Sequence, residues 1–127
     1  MKNSLLVLLI CLICLGFASC KKNSDADPAV SIRVKNTSQY RYDSVYVSTL
    51  GGTRAYGPLE AGKSSDYKTF TSAYSTAAIR VVLDGTSWQL TPIDYVGMSP
   101  LSAGEYTYAI SVVDYGQRRL GLTFEQP

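Results

Sequence analysis

No histidine occurs anywhere in the 127 residues, and no cysteine lies beyond residue 20. The first absence removes the commonest general base and imidazole ligand, and every triad that depends on one. The second excludes a disulfide framework or a cysteine zinc site in whatever folds after that point. Charge is scarce too: 12 Lys+Arg against 10 Asp+Glu leave a net +2. That balance makes no electrostatic case for nucleic acid, and Arg118-Arg119, the one basic pair beyond the N-terminal region, reads as a solvated strand edge. From Ala29 onward no segment keeps a 3.6-residue apolar period, so helices are not expected.

The inventory left for catalysis is small. Ser64 adjoins Lys63, and Ser65 lies three residues before Lys68, but neighbours in a strand point to opposite faces, so Lys63 is badly placed to activate Ser64. Asp25 and Asp27 resemble the start of a calcium loop without its glycine or its distal Glu. Most remaining carboxylates sit at turns or strand ends, where Asp has backbone reasons to be. Asp94 is the exception, lying between Ile93 and Tyr95 in a loop with little turn chemistry; a backbone role and a site role both fit it. The expectation is a protein that is not an enzyme and takes no cofactor and no metal.

What is present at the N-terminus reads as an address. Lys2 precedes a thirteen-residue apolar run, Leu5 to Phe17, too short to span a bilayer at about 20 residues per helix but suited to the core of a secretory signal. Phe17-Ala18-Ser19-Cys20 follows, then Lys21-Lys22. This stretch resembles the bacterial lipobox, with Phe17 where the family usually has Leu. The resemblance implies cleavage before Cys20, a diacylglycerol on its thiol and an acylated amine, hence a membrane partner reached through lipid. Lysine after the cysteine, rather than Asp, implies the outer membrane of a Gram-negative envelope. Ser24-Asp25-Ala26-Asp27 loosely resembles an acidic surface-export tag and equally reads as a solvated tether. The organisation expected is a signal peptide over 1–19, anchor and tether over 20–28, and one domain over 29–127.

That domain reads as strands with period two, rich in Val, Ile, Tyr and Thr. Val30, Ile32 and Val34 alternate through a first strand ending at Asn36. A second covers Tyr42 to Thr49, with Val45 and Val47 on one face and Tyr42, Ser44 and Tyr46 on the other; Gly51-Gly52 breaks it. Leu59 to Ser64 is a turn, and Asp66 to Thr71 a short strand. Asp84-Gly85 between Ala77–Leu83 and Thr86–Thr91 is a hairpin signal that pairs Leu83 with Thr86, Val81 with Trp88 and Ile79 with Leu90. Glu105 to Asp114 is the longest strand. After a turn at Tyr115-Gly116 the last strand carries Leu120, Leu122 and Phe124. Seven or eight strands in about 100 residues imply a single antiparallel β-sandwich, with Ile93 to Leu101 able to carry the chain between sheets.

Leu101-Ser102-Ala103-Gly104-Glu105-Tyr106-Thr107-Tyr108 resembles the L-x-x-G-x-Y turn-to-strand signature of fibronectin type III-like and prealbumin-like modules. Asn36-Thr37-Ser38 with Leu59-x-x-Gly62-x-Ser64 is similar to the punctuation of bacterial immunoglobulin-like domains. An immunoglobulin-like sandwich is therefore the class expected, and such a resemblance speaks to fold rather than to function.

Ten tyrosines are the compositional anomaly. Tyrosine suits strands and core margins, which accounts for Tyr106 and Tyr108. Tyr40, Tyr42 and Tyr46, opposite the inward valines, together with Tyr95 in its loop, are the candidate binding surface, for a protein partner in the envelope or for a glycan. Asp43-Ser44-Val45 also fits an O-glycosylation tripeptide.

Overall fold

Eight strands form in the order β1 (Val30–Asn36), β2 (Ser44–Thr49), β3 (Gly52–Ala55), β4 (Lys68–Phe70), β5 (Ala78–Leu83), β6 (Thr86–Leu90), β7 (Gly104–Asp114) and β8 (Arg119–Glu125). They come from a computed structural model that describes residues 29–127. The expected signal peptide, Cys20 and the tether lie outside the described residues. The strands pair into two four-stranded sheets, β4-β1-β7-β8 and β3-β2-β5-β6. Val30, Ile32, Val34, Val45, Val47, Ile79, Val81, Leu83, Tyr108 and Ile110 all point into the space between the sheets and are buried. The period-two pattern and the two-layer core are thus one fact seen twice.

The Asp84-Gly85 hairpin forms with the expected register, Leu83 on Thr86, Val81 on Trp88 and Ile79 on Leu90. Both turn residues have positive φ, 49° and 72°, as a type I′ turn requires. The loop after β6 carries the chain from one sheet to the other, as expected.

Three features depart from the expectations or add to them. The sandwich is not purely antiparallel: β1 runs parallel to β7 over its whole length, from Val30 beside Gly104 to Asn36 beside Ile110. The chain between them crosses to the other sheet and back twice, returning as β4 in between, a long crossover of the kind a parallel pair demands. Gly51-Gly52 does not merely end β2 but folds it back into β3, with Thr49 paired to Gly52. Gly51 is pressed against the Ser72 backbone so closely that a Cβ would collide with it. Third, β1 and β2 fall in different sheets, whereas the first two strands of an immunoglobulin constant-type sandwich share one.

The β1–β2 connection is organised by Asn36, a polar side chain with no solvent exposure. Its Nδ2 donates to the Tyr40 carbonyl at 2.7 Å and the Leu59 carbonyl at 3.1 Å. Its Oδ1 accepts from the Ser38 amide at 2.9 Å and the Ser38 hydroxyl at 2.8 Å. The main chain of Asn36 bonds to Lys63 and Gly62, and Ser65 bonds to Val34. The Leu59–Ser65 turn therefore continues the edge pairing of β1 beyond the short β4. Removing the amide leaves buried carbonyls without donors, a cost of roughly 1–3 kcal/mol per orphaned group. We expect Asn36→Ala to lower unfolding stability by about 3 kcal/mol, read as a drop in urea midpoint at unchanged slope.

Candidate functional site

The ten tyrosines divide by what their hydroxyls do. Tyr42 donates to the Ile110 carbonyl at 2.9 Å and Tyr56 to the Ile32 carbonyl at 2.7 Å. Tyr106 donates to the Ser102 carbonyl at 3.0 Å, and Tyr108 to the Tyr74 carbonyl. These four are clips: each ring lies in or against the core while its hydroxyl satisfies a backbone acceptor. Tyr106 bonding back to a residue four positions upstream has the shape of a tyrosine corner. Tyr67 lies under the Arg33 guanidinium, and Tyr74 stacks on Tyr95 with ring centroids 5.1 Å apart.

The four candidate residues do not share a surface. Tyr42 is a correction: it has no solvent exposure and belongs to the core. Alternation from Val45 put it outside, but the chain bends at Asp43, whose amide bonds to the Val82 carbonyl, and Tyr42 instead bridges to Leu59. The phase of the strand slips there by one residue. Tyr46 does lie on the outer face of β2, with the Arg80 guanidinium 3.8 Å from its ring centroid. A shallow hollow of about 290 Å³ beside it is lined by Ser48, Thr53, Gln89 and Thr91 among others. Tyr95 is in the β6–β7 loop against Tyr74. Asp94, next to it, turns out to serve the backbone: Oδ1 accepts the Val96 amide at 3.1 Å, a local side-chain turn. Ser44 is half-buried in β2, paired with Val82.

Tyr40 is the member that leads to a site. Its ring lies 4.9 Å from that of Tyr115, and Trp88 meets Tyr115 edge-on at 5.2 Å. The Tyr115 hydroxyl donates to Asp84 Oδ2 at 2.9 Å, joining the β7–β8 turn to the β5–β6 turn. A groove of about 360 Å³ beside the pair is lined by Thr37, Ser38, Gln39, Tyr40, Val112, Val113 and Tyr115. Trp88 is buried, while Tyr115 and Val113 are 45% and 60% exposed. Val113 stands out because β7 carries a bulge against β8 between Val112 and Asp114. The rim is polar: Arg41 contacts Asp43 at 3.1 Å and Glu60 at 2.6 Å, and Asp43 Oδ2 accepts the Gly85 amide at 3.3 Å. These exposed ion pairs orient the rim more than they stabilise it.

Sequence reasoning missed Tyr115, Trp88 and Asp84 as a group because each had a local explanation, as turn, core and turn. The signal was available in the strand directions. In a two-sheet sandwich the turns at 84–85 and 115–118 fall at the same end, beside the connection that follows β1.

A search with protein-family models found no match to the chain, and a comparison with curated proteins found none either. Among solved structures, the NMR structure of a protein from Eubacterium rectale is similar, with a TM-score of 0.57 at 14% identity. The match covers 81% of this chain and 94% of that one. At that identity the likeness is one of fold.

Burial raises the pKa of Tyr42, Tyr56 and Tyr108 above the usual phenol value. The hydrogen bond to the Asp84 carboxylate raises Tyr115, since ionisation would place two anions together. For the three buried phenols the folded state holds its protons where the unfolded chain has lost them. Their contribution is intact below pH 10 and disappears as the pH climbs through the raised values. Stability should fall above pH 10 by up to about 4 kcal/mol per pH unit for the three together. In an absorbance titration of tyrosinate, Tyr42, Tyr56 and Tyr108 should ionise only with unfolding; a smooth titration of all ten in the folded protein contradicts the assignment.

Proposed function

We propose that the chain is a lipid-anchored envelope protein whose β-sandwich is a non-catalytic binding or structural module acting through protein contacts. The lipobox-like Cys20 supports the anchor. The observation that carries the binding role is the ledge of Tyr40 and Tyr115 over Trp88, an aromatic cluster with a polar rim. Aromatic centres with polar margins are what protein interfaces are enriched in. The ledge lies at the far end of the sandwich from Ala29, where the described chain begins, because β1 runs from Val30 to Asn36 toward it. A partner is thereby met on the side away from the tether.

As to class, we read the sandwich as prealbumin-like rather than immunoglobulin-like, on the separation of β1 and β2 into different sheets. A second reading, glycan binding, is favoured by the same groove, since tyrosine rings offer stacking beside the polar lining of Thr37, Ser38 and Gln39.

Two measurements test the proposal. Cys20→Ala should shift the protein from the membrane to the soluble fraction, or leave its precursor uncut; unaltered retention and processing refute lipidation. A photo-crosslinker in place of Gln39 should give a discrete protein adduct in intact envelopes. Tyr40→Ala and Tyr115→Ala should each weaken that adduct about tenfold, the size of a loss at an interface hot spot. Recovery of monomer alone, with selective glycan binding on an array that Tyr115→Ala abolishes, would transfer the ledge to the carbohydrate reading.

A further inference from the structure

The end of the sandwich opposite the ledge carries apolar side chains that nothing covers. Ile93 is fully exposed, Val96 is 86% exposed and Leu50 is 68% exposed. All three belong to connections at one end of the molecule. Leu50 is in the β2–β3 turn, held against the chain after β4 by Gly51 at Ser72 and by the Thr49 hydroxyl on the Ser72 carbonyl at 2.8 Å. Ile93 and Val96 are in the β6–β7 loop. That loop is fixed to the same stretch by Tyr95 on Tyr74 and by the Leu101 amide on the Ala73 carbonyl at 2.8 Å. The Val96 amide is capped by Asp94, and the Met98 amide bonds to the Tyr95 carbonyl. The loop is thus braced from within by polar contacts and tyrosine packing, while its aliphatic side chains point outward, the reverse of what folding alone selects.

This is also the end at which the described chain begins. Val30 pairs with Phe70 on one side and Gly104 on the other, and the Gly104 amide bonds to the Ala29 carbonyl. Only residues 21–28 separate Ala29 from Cys20. At about 3.3–3.6 Å per residue, eight residues reach at most roughly 29 Å, about the thickness of one bilayer's hydrocarbon core. A lipid on Cys20 would hold this end, not the ledge, next to the bilayer.

We propose that Leu50, Ile93 and Val96 form a membrane-resting foot that dips into the interfacial layer of the bilayer holding Cys20. The inference rests on the anchoring reading above. Aliphatic side chains on a rigid loop suit the acyl–headgroup boundary. Asp94 and Glu105, both exposed at this end, disfavour an anionic surface, so the contact is with zwitterionic phosphatidylethanolamine and should be insensitive to salt. Held at this one end by both lipid and foot, the sandwich stands with its aromatic ledge outward.

The cysteine-free domain permits a direct test. In the mature full chain with Cys20 acylated, Leu50→Cys, Ile93→Cys and Val96→Cys each supply the sole free thiol for an environment-sensitive fluorophore. Ala61→Cys and Gln117→Cys, both at the ledge end, are controls. The labelled proteins are reconstituted into phosphatidylethanolamine vesicles containing a minor fraction of phosphatidylglycerol. Labels at 50, 93 and 96 should shift to the blue and be quenched by chain-brominated lipid, at low and high salt alike, while those at 61 and 117 should do neither. Protein that sediments with vesicles but shows equal, aqueous emission at all five positions overturns the foot and leaves the anchor standing. Protein that stays in the supernatant overturns the anchor, and the foot with it. Protection of position 93 in native envelopes but not in pure lipid shows that a protein covers the loop, and also overturns the proposal.

Discussion

One buried amide fixes how the chain leaves its first strand. Asn36 uses both donors and both acceptor sites of its side chain, on Tyr40, Leu59 and Ser38, while its own backbone is paired to the 62–63 turn. A buried amide with all four positions filled has one low-energy arrangement. That arrangement places three things at once. The Leu59–Ser65 turn is laid along the edge of β1, the 37–41 connection is folded over the top of the sandwich, and Tyr40 is brought beside Tyr115. The ledge therefore depends on a residue that does not belong to it.

Around that node the tyrosines do work that cysteines do in many small secreted domains. Tyr42 reaches the Ile110 carbonyl, which also accepts the Thr37 amide and hydroxyl, so both ends of the β1–β2 connection meet β7 at one oxygen. Tyr56 ties the segment after β3 to β1, and Tyr108 ties β7 to the chain after β4. Each of these three clips joins segments distant in sequence, contributing a ring's burial and about 1 kcal/mol of hydrogen bonding. No side-chain nitrogen or oxygen that is buried among the described residues lacks a partner. A domain without disulfides is thus specified by directed polar contacts inside an aliphatic core.

Much of this was legible in the sequence, and the part that was not has a common cause. Val30, Ile32 and Val34, the Asp84-Gly85 turn and the faces of Val81 and Trp88 follow from period two and turn chemistry, which are local. The parallel pairing of β1 with β7 is not local: nothing in Val30–Asn36 states which strand will lie beside it. Tyr42 was misplaced because a bend at Asp43 shifts the phase of alternation, and Asp43 looks like any strand-margin aspartate. Tyr115 and Trp88 each looked complete in isolation. Their meeting is a property of two turns arriving at one end, visible only when strand directions are combined. Asp94, by contrast, held two readings in the sequence, and its bond to the Val96 amide favours the backbone one.

The molecule consequently has two unlike ends, with an aliphatic foot beside the start of the described chain and an aromatic ledge where the hairpin turns converge. The distance between them is the length of β1 and β7, strands in the middle of their sheet. The rigidity of that spacing rests on the Asn36 node closing the top of β1. Native-state amide hydrogen exchange tests this most directly. The amides of Asn36, Ser38, Gly62 and Ser65 should exchange only through global unfolding, with the same free energy as the central amides of β1 and β7. Exchange of those four through a local opening well below the global free energy would show that the connection moves independently, and that the ledge is not held by Asn36.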